Sequence, residues 1–196
     1  MLFIFDMGGV VTTTAGRTLY EKISERLGIA PEKFLSLMGW NTNINLFFEL
    51  EKGTLSVSEW WKIFEERSGI KISCDWFRLL FHPVLNEETR KVVLELKSKA
   101  HRVVCGTNTI ESHYDNHKCR GDYGIFDMTY ASIHMGVRKP DFEFWKLILE
   151  CENEIPENTF FTDDRKENCD AAKMLGIRTY NFKNAEGLCE NLAEWL

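Results

Sequence analysis

The stretch Leu2-Phe3-Ile4-Phe5-Asp6-Met7-Gly8-Gly9-Val10-Val11 decides how the remainder of the chain is read. Its leading apolar residues form an unbroken run, the pattern of a strand buried on both faces inside a parallel sheet. Asp6 stands where the run stops, and Gly8 and Gly9 come directly after it. In an open α/β sheet, ligands bind just beyond the carboxyl ends of the strands. Glycine there lets the backbone approach a ligand and turn its N–H groups toward it. The same residues also suit a tight turn with Asp6 as a solvated turn residue, so the rest of the chain has to decide between the two.

Outward from this strand the composition changes. Residues 13–85 carry helical patterns and no strand. Leu19, Ile23 and Leu27 recur at helical spacing before Gly28, and Pro31 opens a short helix with Phe34, Leu35 and Met38. Ile44, Phe47, Phe48 and Leu50 make a third pattern closed by Gly53. Ser56 and Glu59 form a capping box ahead of Trp60, Trp61 and Phe64, with Gly69 as the stop. Trp76, Phe77 and Leu80 make a last helix before Pro83. The aromatic residues read as core. The polar run Trp40-Asn-Thr-Asn-Ile-Asn45 differs from its surroundings and could reach a polar substrate.

From Asn86 onward helix and strand alternate. Glu87–Ser98 is an amphipathic helix, and Val103–Cys105 a buried strand running into Gly106-Thr107-Asn108. A polar helix to about Arg120, a strand over Met128–Ser132, and a helix capped by Asp141 come next. A strand over Thr159–Thr162 ends in Asp163-Asp164, and a strand over Ile177–Tyr180 and a helix over Ala185–Leu196 close the chain. Such alternation implies right-handed crossovers and a parallel sheet. The expected fold is α/β: a Rossmann-like three-layer core over residues 1–12 and 86–196, with a helical bundle inserted over 13–85.

The bulk numbers narrow the classes. The chain has 196 residues, 44% hydrophobic and 28% charged, with a net charge of −6. That balance, without a Lys/Arg cluster, argues against nucleic-acid and anionic-membrane partners. No stretch approaches the roughly 20 apolar residues of a membrane span. The first apolar run has no basic residues before it, unlike a signal peptide. The 6 cysteines are scattered without a Cys-x-x-Cys pair, as suits reduced thiols in the cytoplasm. A cytoplasmic monomer or homodimer with a small-molecule partner is expected.

Strand ends then converge in chemistry. The first gives Asp6, the second Thr107 and Asn108, the loop after the third Lys139, and the fourth Asp163 and Asp164. Each carboxylate alone would serve as a helix N-cap or turn residue. Crossover connections, however, bring all these ends to one edge. Carboxylates crowded there repel one another unless a cation lies among them, and oxygen ligands without His or Cys suit Mg2+ better than zinc. A lysine, a hydroxyl and glycine N–H groups complete a cradle for a phosphoryl group.

Asp6-Met-Gly-Gly-Val10, the strand ending Thr107-Asn108, Arg138-Lys139-Pro140 and Phe161-Thr-Asp-Asp164 resemble, in order and spacing, the four motifs of the haloacid dehalogenase-like (HAD) superfamily. The insert resembles the helical cap of one of its subfamilies. Within that group the chain is similar to small sugar-phosphate phosphatases such as the α-D-glucose-1-phosphate phosphatases. The resemblance implies hydrolysis of a small phosphorylated metabolite, with Asp6 as nucleophile and an aspartyl-phosphate intermediate. It implies a magnesium ion held by Asp6, the Gly8 carbonyl and Asp164, with Asp163 and Asn168 as supports. Thr107 and the Asn108 N–H would hold phosphoryl oxygens and Lys139 would neutralise charge; apart from the resemblance, Trp40 at the head of the polar run is expected to contact substrate.

One residue departs from the pattern. Most phosphatases of the superfamily carry an acid–base aspartate two positions after the nucleophile, and here that position is Gly8. General acid–base catalysis is worth roughly 10²- to 10⁴-fold, so a preference for substrates with a less basic leaving oxygen is expected. Two other readings fit the motifs. One is a weakly catalytic HAD-like binding or regulatory protein, which Gly8 and the aromatic insert allow. The other is a metal-free haloacid dehalogenase, in which Asp163-Asp164 would have no evident purpose. His113 and His117, four apart with Cys119 nearby, could form a metal pair but are expected on a solvated helix face.

Overall fold

β1 (Leu2–Phe5) is buried along its whole length, as its unbroken apolar run requires. It pairs in parallel with β2 (Arg102–Thr107) on one side and β4 (Thr159–Asp163) on the other. β3 (Met128–Ala131) and β5 (Arg178–Asn181) extend these pairs into a 5-stranded, all-parallel sheet in the order β3-β2-β1-β4-β5. This computed structural model describes residues 1–14, 16–39 and 45–196.

Alternate residues of β1 feed opposite layers. Phe3 and Phe5 pack with Val93 and Leu96 of α6 (Glu87–Ser98) and Leu188 and Leu192 of α11 (Ala185–Leu192). Leu2 and Ile4 face Phe144, Trp145 and Ile148 of α9 (Phe142–Glu152) and Ala171 and Ala172 of α10 (Lys166–Met174). The result is the expected three-layer, Rossmann-like sandwich. α7 (Glu111–Arg120) comes after β2, and a short α8 (Ser132–Met135) after β3.

Between β1 and α6 lie α1 (Gly16–Leu27), α2 (Pro31–Leu37), α3 (Leu46–Lys52), α4 (Val57–Ser68) and α5 (Trp76–Leu80). Their apolar stripes meet in a separate cluster centred on Phe34, Trp60, Phe64 and Phe77. The segments entering and leaving this insert run side by side: Thr13 N donates to Val84 O at 2.8 Å, and Asn86 N to Val11 O at 2.8 Å. Its docking contacts are polar at the edges. The Ser112 hydroxyl of α7 donates to Asp75, Asn116 Nδ2 donates to Phe81 O at 2.8 Å, and Arg138 donates to Glu51 at 2.7 Å. No helix among the described residues is long and apolar enough to cross a membrane.

Several local expectations shift. The third strand stops at Ala131, because Ser132 opens α8. The last helix ends at Leu192 rather than Leu196. Asp141 occupies the N-cap of α9 without a capping hydrogen bond from its side chain. Asn45 accepts from Phe47 N at 3.1 Å and so caps α3. His113 and His117 are not solvated: they are 8% and 4% exposed, and the His113 ring stacks on Phe81. Trp40 lies outside the described residues.

Candidate active site

The parallel sheet sets Asp6, Thr107 and Asp163 at the same edge, at or just past the ends of adjacent strands. Lys139 reaches them from the loop after α8. Its side chain is 1% exposed, and its ammonium donates to Asp6 Oδ1 at 2.8 Å, Asp163 Oδ2 at 2.6 Å and Gly106 O at 2.8 Å. An ammonium has three protons, and all three are thereby directed. The backbone of the lysine is held as well: Asn108 donates through Nδ2 to Lys139 O and accepts from Lys139 N, both at 2.8 Å. The Asn108 side chain is therefore a clasp, which leaves its N–H rather than its amide to face a ligand.

The two neighbouring aspartates differ in what surrounds them. Asp163, fully buried, accepts from Lys139, from Asn168 Nδ2 at 2.9 Å and from Arg165 N at 2.8 Å. Asp164 is half-buried and takes no hydrogen bond from another side chain among the described residues. Its carboxylate lies against Gly9, where a Cβ would sit 2.5 Å from Asp164 Oδ2, so only glycine permits the approach. Oxygens of Asp6, Asp163 and Asp164 lie within 4.8 Å of one another, close enough to hold a metal ion. The crowding has an electrostatic signature. Burial, then repulsion from Asp163, pushes the Asp6 carboxyl up to about 7 against the pull of Lys139. Burial and Asp163 raise Asp164 too. Burial alone would depress Lys139, but Asp163 and Asp6 outweigh it and hold the ammonium above its usual range.

Met7, Gly8, Thr107 and Asn108, flanking this cluster, form one end of a cavity of about 400 Å³. The insert supplies much of the other side through Tyr20, Leu35, Phe47 and Phe81. Polar side chains line the rest of it: Thr13, Thr14, Arg17, Thr109 and Arg165, His113 and His117 from α7, and Glu51 from α3. The structure thus gathers Asp6, Gly8, Thr107, Asn108, Lys139, Asp163 and Asp164 at one sheet edge, with Asn168 of α10 beside them through its hydrogen bond to Asp163. Glu51 escaped the sequence reading. Its one available signal is its place four residues after Phe47, which puts both on one helix face.

A family model for haloacid dehalogenase-like hydrolases matches residues 1–176. The chain belongs to this family. A sesquiterpene phosphatase of Aspergillus oryzae is 26% identical to it, over 97% of this chain and 94% of that protein. A drimenol cyclase of Aspergillus calidoustus is 36% identical over 61 residues, which are 31% of this chain and 12% of that much longer protein. A HAD-family enzyme of Bacteroides thetaiotaomicron, solved with magnesium and inorganic phosphate, superposes with a TM-score of 0.74 at 26% identity, covering 93% of each chain.

Proposed function

We propose that this hydrolase is a magnesium-dependent phosphomonoester phosphatase working through an aspartyl-phosphate on Asp6. The observation that carries the reading is the cluster of three carboxylates, Asp6 and Asp163 buried and Asp164 half-buried, with one lysine paired to the first two. Such a set needs further positive charge, and a phosphoryl dianion can approach it only if that charge is present. The donor chemistry fits magnesium: hard oxygens with no thiolate or imidazole among them. Asn168 Oδ1 is buried without a partner among the described residues and suits a hydrogen bond from the water of a hydrated cation. Asp6, the Gly8 carbonyl and Asp164 would hold the ion, which when bound supplies charge neutralisation and orients the phosphoryl group. The sesquiterpene phosphatase and the magnesium–phosphate complex among its relatives support the same reading.

In this reading Asp6 attacks phosphorus, and Thr107 Oγ1 and the Asn108 N–H hold phosphoryl oxygens. Lys139 orients Asp6 and offsets the incoming negative charge. Asp163 and Asn168 hold the lysine and the metal ligands in place. The insert over 13–85 acts as a cap domain on a core of 1–12 and 86–196, and the substrate lies between them. The first and third motifs, through their likeness to the glucose-1-phosphate phosphatases, support a sugar phosphate as substrate. The cavity supports a second reading, an organic phosphate with an apolar body, because Tyr20, Leu35, Phe47 and Phe81 offer it apolar contact area. Phosphate release with and without magnesium, from a hexose 1-phosphate, a prenyl phosphate and an aryl phosphate, tests both. Release that needs magnesium and disappears in Asp6→Asn is expected. Release unaffected by Asp6→Asn would sink the mechanism, and the ranking of hexose against prenyl phosphate decides the substrate.

A further inference from the structure

We propose that Glu51, reaching into the cavity from the helical insert, is the general acid and base of the reaction, in the role that glycine at position 8 leaves unfilled. The inference rests on the phosphatase reading above. Gly8 carries no side chain, and a Cβ built there would meet no atom within 4 Å, so space stands open where an acid is missing. Glu51 is the one carboxyl among the described residues lining that same cavity. It is 8% exposed, and Arg138 Nε donates to its Oε2 at 2.7 Å. Its Oε1 has no hydrogen bond among the described residues, although a sealed, unpartnered atom would be conspicuous and none is found there. That oxygen is the one left to face the cavity.

The other polar groups of the cavity suit the task less well. Burial, then repulsion from Glu51, holds the Tyr20 hydroxyl above its usual range. Burial drives the His113 imidazole down to about 3, so it carries no proton to give at neutral pH. His117 is engaged through Nδ1 with Asp122 at 2.8 Å, and Arg17 with Glu21 at 2.9 Å. Around Glu51 stand Arg138, Arg165 and Lys139, whose charges favour the carboxylate, yet burial outweighs them and leaves its carboxyl above the usual range. A carboxyl so placed can hold a proton on substrate binding and take one back later.

The steps balance. In the first, an Asp6 oxygen forms a bond to phosphorus, the bond from phosphorus to the leaving oxygen breaks, and the Glu51 proton goes to that oxygen. In the second, water attacks phosphorus, Glu51 takes its proton, and the Asp6–phosphorus bond breaks to free phosphate. Each turnover returns Glu51 to its protonated form. This supply of a proton replaces the leaving-group preference expected from Gly8 alone.

The test compares kcat/KM, which reports the steps through release of the alcohol, for an alkyl phosphate and p-nitrophenyl phosphate in the magnesium-loaded protein. Glu51→Gln is expected to slow the alkyl phosphate by about 10²-fold or more while the aryl phosphate, whose leaving oxygen needs no proton, falls far less. Gly8→Asp added to Glu51→Gln is expected to restore the alkyl rate. Arg138→Gln, which breaks the ion pair but keeps the carboxyl, is expected to show no such selectivity. Equal losses on both substrates in Glu51→Gln, or the same selectivity in Arg138→Gln, would overturn the proposal. If Glu51→Gln does not fold, the wild-type dependence of kcat/KM on leaving-group pKa decides: a shallow slope supports an internal acid, and a steep one overturns it. Failure of wild type to release p-nitrophenol with magnesium would instead count against the phosphatase reading.

Discussion

Asp163 lines no part of the cavity, yet it accepts hydrogen bonds from three different residues and fixes the lysine that touches Asp6. Position within the buried network, rather than proximity to the ligand, sets what each side chain contributes. His113 shows the same rule with the opposite chemistry. It is buried, stacked on Phe81, and its Nε2 has no partner among the described residues. Its folded value of about 3 lies below the ordinary 6.5. A depressed value means stability present above the unfolded pKa and lost as pH falls from about 6.5 toward 3, because only the unfolded state then takes up the proton. Between pH 7 and pH 5 this one residue should cost about 2 kcal/mol. His113→Phe should flatten that part of the stability profile in urea titrations, and an unchanged slope would refute the assignment. The alternation of Ser, His, Asp and Lys along α7 reads as solvated because no apolar stripe marks its buried face. The burial comes from Phe81 of the insert, which no local pattern can announce.

At the scale of elements, α3 is one of two pieces that join insert to core, beside α5 with its flanking Asp75 and Phe81. Phe48 lies under the Arg138 guanidinium at 3.9 Å, Glu51 pairs with that arginine, and Gly53 ends the helix with φ +69° against α8. A Cβ on Gly53 would collide with the Ile133 carbonyl oxygen. Gly53→Ala should therefore lose more than the roughly 1–2 kcal/mol of a left-handed alanine, and should also reduce turnover by shifting Glu51. Gly69→Ala is the matched control. It ends α4 at φ +73° with nothing within 4 Å, so it should lose stability without losing turnover. Thermal unfolding and steady-state rates on the two variants separate the effects. The helices themselves were legible, down to the Ser56–Glu59 capping box and the glycine stops, because propensity and capping act locally. Which helix meets the core, and through which residue, is decided by tertiary packing, and the second of two glutamates in Phe47-Phe-Glu-Leu-Glu51 carries little sign of it.

For the molecule as a whole, ligand linkage ties the site to global stability. With magnesium at 100 times its dissociation constant, binding to the folded state alone adds about 2.7 kcal/mol. Asp164→Asn should abolish this magnesium-dependent gain in Tm. It should leave the metal-free protein no less stable, since the change relieves repulsion from Asp163. A gain that persists in the variant would remove Asp164 from the metal site. The sheet and its reactive edge were readable because a parallel topology forces strand ends together, so Asp6, Thr107 and Asp163 needed only their order in the chain. The cavity was not, since it arises where side chains of the insert meet Met7, Gly8 and the Thr107–Thr109 segment of the core, which no local pattern links. The insert leaves the core beside Thr13 and returns beside Val84, a single antiparallel crossing. Grafting a foreign insert would need to match that crossing and the core's contacts with Glu51, Asp75 and Phe81. Such a chimera would keep Asp6, Lys139 and Asp163 and inherit a new pocket, but it would have to bring its own counterpart of Glu51.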